Sequence, residues 1–293
     1  MAEPGTYALI ANPRAARGRA LRSLAPAVRR LKEHGARVTV GCGTDADDAL
    51  RVARELAADG PDALVALGGD GMAHIAVQAV AGTGVPLGLL PVGTGNDLAR
   101  ALHVPRGDPR AAADVIAAGR TRVIDVAGAA GERYTTVLTG GFASRVAERL
   151  YTGRGGGGSL SYVAAVAAEL RAFRPEPFIL ELDGERWETA AMLVGVANTG
   201  RFGGGMAICP DADACDGLLD VCVCGPVSRP EFVRVFPQVY RGTHVDHPSV
   251  TIRRAATVSV AAPGGVAYAD GERMSGFPLT VRCEPGALRV LVP

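Results

Sequence analysis

The chain has a single lysine, Lys32, among 293 residues. A Walker A loop needs G-x-x-x-x-G-K-[ST], and a protein kinase needs a lysine on a strand beside the ATP phosphates. Neither is available. Lys32 lies in an arginine-rich helical pattern, RALRSLAPAVRRLKEHG, and reads as a solvated residue, so a Schiff-base mechanism has no second candidate. No apolar run approaches the roughly 18 residues that span a bilayer. The opening residues Met1–Tyr7 lack a charged stretch followed by an apolar one, so no signal peptide is read. The expected location is cytoplasmic, with membrane contact only peripheral, at the inner face. The six cysteines include no C-x-x-C pair. Cys222 and Cys224 alternate along VCVC and read as core thiols of a reducing compartment. His244 and His247 have no obvious third ligand nearby and read as loop histidines. Lys+Arg is 31 and Asp+Glu is 30, a balance that gives no reason to expect nucleic acid.

What is present is a change of rhythm. The first part alternates strand and helix: strands over 7–12, 37–42, 62–68 and 85–91, helices over 19–34, 46–58 and 72–80. Short apolar strands followed by helices indicate a Rossmann-like, doubly wound parallel sheet, whose ligands bind at the carboxyl ends of the strands. NPRAARG, CGTD, GGDG and PVGTGND all fall there. Beyond about residue 120, strand-like segments become frequent and closely spaced, the pattern of an antiparallel β-sandwich. Two helices interrupt them, one over 160–173 after the Gly155–Gly158 loop, one starting at the Ser228-Arg-Pro-Glu231 capping box. The expectation is an α/β chain of two domains: 1–122 for nucleotide and 123–280 for substrate, with the tail 281–293 returning to the first.

The first strand is not followed by G-x-G-x-x-G, which argues against a dinucleotide oxidoreductase. A phosphate site spread over several strand ends suits the sequence better. Gly68, Gly69 and Gly71 let backbone approach a ligand, and Gly93-Thr94-Gly95 does the same one strand later with an added hydroxyl. Asn12 and Arg14 supply an amide and a cation. Asp70 is out of place among anion-binding turns until a Mg²⁺ ion is set between it and the phosphates, which turns repulsion into bridging. GGDG alone reads as a tight turn. Two glycine turns at neighbouring strand ends favour the phosphate site.

In order and spacing, NPRAARGRA (12–20), LGGDGMAH (67–74), PVGTGNDLAR (91–100), NTGRFGGGMAICPDADACDGLLDV (198–221) and YADGERM (268–274) resemble the bacterial diacylglycerol kinase family of lipid kinases. That family shares its nucleotide domain with NAD kinases and sphingosine kinases. The resemblance implies an ATP- and Mg²⁺-dependent enzyme that phosphorylates a lipid hydroxyl, diacylglycerol first among acceptors. It places ATP on Gly68, Gly69, Asp70, Gly71, Thr94, Gly95 and Asn96, with Asn12, Arg14 and Thr44 nearby. It implies a structural Mg²⁺ on Asp213, Asp216 and the backbone oxygen of Leu218. It makes Glu272 the proton acceptor and Asp270 its partner. Two carboxylates flanking Gly271 suit that chemistry, one ordering metal-bound water and one taking the proton of a hydroxyl. For D-G-E alone, a hairpin turn with solvated acids is the other reading.

Three positions depart from the pattern: Met72 where the family has threonine, Ala143 for an aspartate and Ala147 for an asparagine. They keep a weakly active or non-catalytic nucleotide- or lipid-binding homologue in view, and NAD kinase is the neighbouring chemistry. The lipid is expected at a membrane surface, met through Arg14, Arg17, Arg19, Arg22, Arg29 and Arg30. A homodimer stays open.

Overall fold

The computed structural model describes residues 5–12, 19–152, 159–172 and 174–293, with backbone alone at 19–21, 159–163 and 172. Arg14, Arg17 and the 155–158 loop lie outside the described residues. The chain divides into two compact units: Met1–Val126 with Gly203–Gly205 and Glu284–Pro293, and Ala127–Phe202 with Met206–Cys283.

The first unit runs β1 (Thr6–Ala11), α1 (Arg19–Glu33), β2 (Arg37–Cys42), α2 (Ala46–Ala58), β3 (Ala63–Gly68), α3 (Asp70–Val80), β4 (Leu87–Pro91), α4 (Asp97–Ala101), α5 (Pro109–Ala118) and into β5 (Thr121–Ala129). Its sheet has the order β2-β1-β3-β4, all parallel. Consecutive residues such as Leu9 and Ile10, or Leu64 and Val65, are fully buried. Side chains on both faces are therefore covered, as a parallel sheet with helices on either side requires. Helix starts are built locally. Asp45 caps α2 by accepting the Asp48 N–H, and Asp108 caps α5 by accepting those of Arg110 and Ala111. Pro109 opens α5 and left-handed Gly119 closes it.

The second unit continues with β6 (Glu132–Tyr134), β7 (Val137–Gly141), α6 (Phe142–Thr152), α7 (Ser159–Ala172), β8 (Glu176–Leu182), β9 (Glu185–Ala191), β10 (Leu193–Ala197), β11 (Arg201–Phe202), β12 (Met206–Ala207), β13 (Leu219–Cys224), α8 (Arg229–Val235), β14 (Val250–Ala255), β15 (Thr257–Ala261), β16 (Val266–Ala269), β17 (Glu272–Gly276) and β18 (Leu279–Leu291). One antiparallel sheet has the order β14-β13-β10-β7-β16-β17, and a second layer runs β18-β15-β8-β9. Leu138, Val196 and Val221 of the first meet Phe178, Leu180 and Val258 of the second in one core. This is a sandwich with inward side chains at alternate positions. The last residues of β18 belong to the first unit, where Val290 is paired with Leu87 in parallel.

The architecture is the α/β one expected, and four local differences matter. Helix α3 begins at Asp70, two residues before the expected Met72, because extended Gly69 serves as its cap. Asp70 and Gly71 therefore belong to a helix, not to a loop. The strand-like run RYTTVLTG (133–140) is divided at Thr135–Thr136 between β6 and β7. The strand-like runs LTVRCE and LRVLVP are joined in one strand, β18, running through Pro285-Gly286. Finally, FASRVAERLYT is helix α6, whose buried stripe of Phe142, Ser144 and Val146 is short enough to hide in a sequence reading. The capping box at Ser228 and Glu231 is present as expected.

Asp108→Ala should lower the unfolding free energy by about 1 kcal/mol, the usual cost of losing an N-cap. A urea midpoint equal to that of the wild type would show that α5 is held by packing alone.

Candidate functional site

In the first unit the two glycine turns lie at the ends of adjacent strands β3 and β4, whose Gly68 and Pro91 are paired. They approach backbone to backbone. A Cβ built on Gly93 would stand 2.5 Å from the Gly69 Cα, so only glycine allows this spacing. Asn96 shapes the second turn. It sits in the left-handed region (φ 52°), which asparagine tolerates, and its side chain closes on Gly93. The Gly93 N–H donates to Asn96 Oδ1 at 3.0 Å, and Asn96 Nδ2 donates to the Gly93 carbonyl at 2.9 Å. Thr94 is left exposed at the tip.

Asp70 joins the turns. Its Oδ2 accepts the Asn96 N–H at 2.8 Å and its Oδ1 accepts the Asp97 N–H at 2.6 Å. A carboxylate from the first turn of α3 thus caps the start of α4. A Cβ on Gly95 would collide with that carboxylate. Gly69, the N-cap of α3, has no side chain to bond its first turn, and a helix start at a strand end is the kind of place that takes an anion. Met72 turns the other way. It is buried, and its Cβ packs against Gly68.

Asp97 is the residue that sequence reasoning passed over, although it ends the quoted GTGND. It is buried. Its Oδ2 accepts the Gly204 N–H at 2.9 Å, while Oδ1 has no hydrogen-bond partner and lies 4.0 Å from Arg100 Nε. Burial, then the charge of Asp70, pushes its pKa up to about 6, against the pull of the Gly204 and Gly205 N–H groups and Arg100. An orphaned carboxylate oxygen beside a second carboxylate is a donor set that fits a hard divalent cation.

The remaining expected residues of this unit are scattered. Asn12 directly follows β1 and is half-buried. Exposed Thr44 donates from N–H and hydroxyl to Asp48 Oδ2, at 3.0 and 3.2 Å, at the start of α2.

In the second unit, Asp270 and Gly271 form the two-residue turn between β16 and β17, with φ of 52° and 85°. Positive φ at both positions is the turn that matches strand twist, and D-G suits it. The hairpin reading is correct for the backbone, but Asp270 is not solvated. It is buried and accepts hydrogen bonds from Thr135 and Thr136, including the Thr136 hydroxyl at 2.6 Å. Glu272 is exposed. Glu148 on α6 holds the hairpin from another side: its Oε2 accepts the Tyr268 hydroxyl at 2.6 Å and Arg273 Nε at 3.1 Å. Tyr268 and Arg273 are cross-strand partners, so one carboxylate grips both strands. Burial, with the Glu148 hydrogen bond, raises the Tyr268 phenol, and the same bond lowers the Glu148 carboxyl. No sequence signal marked Glu148, because its partners lie 120 and 125 residues away.

The expected metal set at Asp213, Asp216 and Leu218 lies in one loop, where both acids already accept hydrogen bonds from the backbone. Asp213 Oδ1 accepts the Cys215 N–H at 3.1 Å, and Asp216 Oδ1 accepts the Leu218 N–H at 3.0 Å. The other oxygen of Asp216 is ion-paired with Arg254, which already supplies positive charge. No cluster of three or more His, Cys, Asp or Glu that could hold a metal occurs among the described residues.

A two-unit α/β fold with paired glycine turns and an acid hairpin defines a nucleotide-using phosphotransferase class, and comparison with known proteins narrows it. A family model described as the diacylglycerol kinase catalytic domain matches residues 6–129, and the YegS C-terminal NAD kinase beta sandwich-like domain matches 136–292. The diacylglycerol kinase of Mycobacterium tuberculosis (strain ATCC 25618 / H37Rv) is 39% identical over 99% of this chain and 96% of its own length. That of Bacillus subtilis (strain 168) is 31% identical over 86% and 84%. A crystal structure of a diacylglycerol kinase from Bacillus anthracis str. Sterne has a TM-score of 0.76 at 20% identity, covering 100% of this chain and 98% of that one. The NAD kinase from Archaeoglobus fulgidus in complex with ATP has 0.54 at 12% identity, covering 98% and 93%. These two share the fold. The chain belongs to the diacylglycerol kinase family of lipid kinases.

The Asp97 shift carries a pH dependence. A carboxyl whose folded pKa lies above its unfolded value binds the extra proton in the folded state between the two. Stability therefore falls as pH rises from about 4 to 6 and stays reduced above that. Relative to Asp97→Asn, the wild type should lose on the order of 3 kcal/mol between pH 4 and pH 7. Parallel stability profiles for the two proteins would show that Asp97 ionises normally.

Proposed function

We propose that this kinase transfers the γ-phosphate of ATP to the hydroxyl of a lipid, with diacylglycerol as the acceptor and Mg²⁺ as the accompanying ion. The observation that carries the reading is the pair of glycine turns tied together by Asp70, in a chain 39% identical over nearly its whole length to a protein named diacylglycerol kinase.

The triphosphate would lie on the N–H groups of Gly69, Asp70 and Gly71 at the start of α3 and on Thr94, with Gly68, Gly95 and Asn96 giving the turns their shape. Asn12, Arg14 and Thr44 stand as further contacts in this proposal. Mg²⁺, when bound, would be held by Asp70 and Asp97 and would screen the phosphate charges. In the transfer, the lipid oxygen forms a bond to the γ-phosphorus as the bond to the β-bridging oxygen breaks, and ADP leaves. Glu272 accepts the hydroxyl proton. Phosphoryl transfer runs through a loose transition state, so this acid chiefly orients the nucleophile and takes its proton late.

Diacylglycerol resides in a bilayer, and no helix among the described residues is long and apolar enough to cross one. Peripheral contact with an anionic surface is therefore part of the proposal. Arg22 and Arg29 are exposed, and each basic group near such a surface contributes roughly 1 kcal/mol. Arg30 contributes less, since it is paired with Glu33 and Asp114.

The test is ATP-dependent phosphorylation over diacylglycerol, ceramide, sphingosine, polyprenol and NAD in parallel. Diacylglycerol in vesicles containing anionic lipid should be the best acceptor, and Glu272→Gln should lower kcat by about two orders of magnitude. Transfer to NAD, or to none of the five, would overturn the reading.

A further inference from the structure

The hairpin carries two acids, and their surroundings divide them. Glu272 is exposed at the start of β17. Asp270 is 8% exposed and faces the break between β6 and β7. At that break the carbonyls of Thr135 and Thr136 accept the N–H groups of Thr199 and Asn198. The N–H groups of the same two threonines turn to the Asp270 carboxylate. Oδ1 accepts the Thr136 N–H at 2.8 Å and its hydroxyl at 2.6 Å. Oδ2 accepts the Thr135 N–H at 3.1 Å and its hydroxyl at 3.5 Å. Two consecutive backbone N–H groups aimed at one anion form a concave anion-binding arrangement, here filled by a side chain of the same protein.

The backbone of Asp270 follows the turn. Its φ of 52° lies in the left-handed region, which the first residue of this two-residue turn requires and aspartate tolerates. The threonine donors hold the side chain of that residue. Glu272 leaves the turn directly, with Ala269 as its cross-strand partner.

We propose that Asp270 is a positioning residue, anchored in a cradle formed by Thr135 and Thr136, and that it sets the placement of Glu272 without itself meeting the acceptor. Thr136, with two donors on one oxygen, is the main support. The inference rests on the reading of Glu272 as the proton acceptor, and the test separates the two.

The kinetic test is a double-mutant cycle with diacylglycerol vesicles, using Asp270→Asn, Thr136→Val and the pair. Thr136→Val should lower kcat about tenfold or more, the loss of a hydrogen bond to a charged group, with KM for ATP unchanged. Thr136→Ser should restore most of the loss. The double variant should be no slower than Asp270→Asn, because both changes cut the same link. Losses that multiply, a Thr136→Val enzyme with wild-type kcat, or a loss that serine does not restore would each overturn the proposal. Glu272→Gln with wild-type kcat would instead sink the catalytic reading. The anchor is then decided by hydrogen exchange, as it is if Thr136→Val does not fold. The Thr135 and Thr136 amides should exchange at least about tenfold faster in Asp270→Asn. Unchanged exchange at both amides would show that Asp270 holds nothing.

Discussion

The carboxylate of Asp70 holds the first unit's ligand-facing end in one arrangement. It comes from the first turn of α3 and accepts the N–H groups that begin α4, at 2.6 and 2.8 Å. Both helix starts present positive ends to it, so the negative charge is favourably placed despite sitting among anion-binding turns. The consequences spread outward. The turns at Gly69 and Gly93 close to backbone contact, Asn96 is held in a left-handed conformation, and Thr94 is pushed to the exposed tip. Asp97 is buried beside a like charge, and its proton affinity rises. A region that concentrates two carboxylates beside a helix start has the chemistry proposed above for a polyphosphate together with its cation.

The second unit reaches rigidity by another route. Its hairpin is gripped from two sides. Thr135 and Thr136 bind the Asp270 carboxylate at the turn, and Glu148 binds Tyr268 and Arg273 a step further along the strands. Each grip brings together residues more than a hundred positions apart. In the loop 209–218, by contrast, Asp216 is tied to Arg254. The acids of CPDADACDG look alike in sequence and differ because one strand, β14, places an arginine beside them.

Much of this was legible from local rules. The alternation of strands and helices predicted the parallel sheet, the capping-box pattern predicted the Ser228 cap, and the D-G hairpin was the other reading of D-G-E. Helix α6 was missed because three buried positions are too weak a stripe to separate from the strands around it. The start of α3 was misplaced because Gly-Gly-Asp-Gly has low helix propensity, and only the tertiary role of Asp70 draws it into the first turn.

What the sequence determined by itself was the set of positions where backbone must bend or approach closely: glycines at 68, 69, 93, 95 and 271, with acids beside them. Those demands are local, written in the absence of a Cβ or in a short polar side chain, and any fold must respect them. What only the tertiary structure decided was the partner of each acid. Asp70 found the backbone of a neighbouring turn, Asp97 the Gly204 loop, Asp270 a strand break and Asp216 an arginine. A carboxylate accepts from any donor that packing brings within about 3 Å. Its role is therefore set by long-range pairing of strands, which one linear sequence does not display.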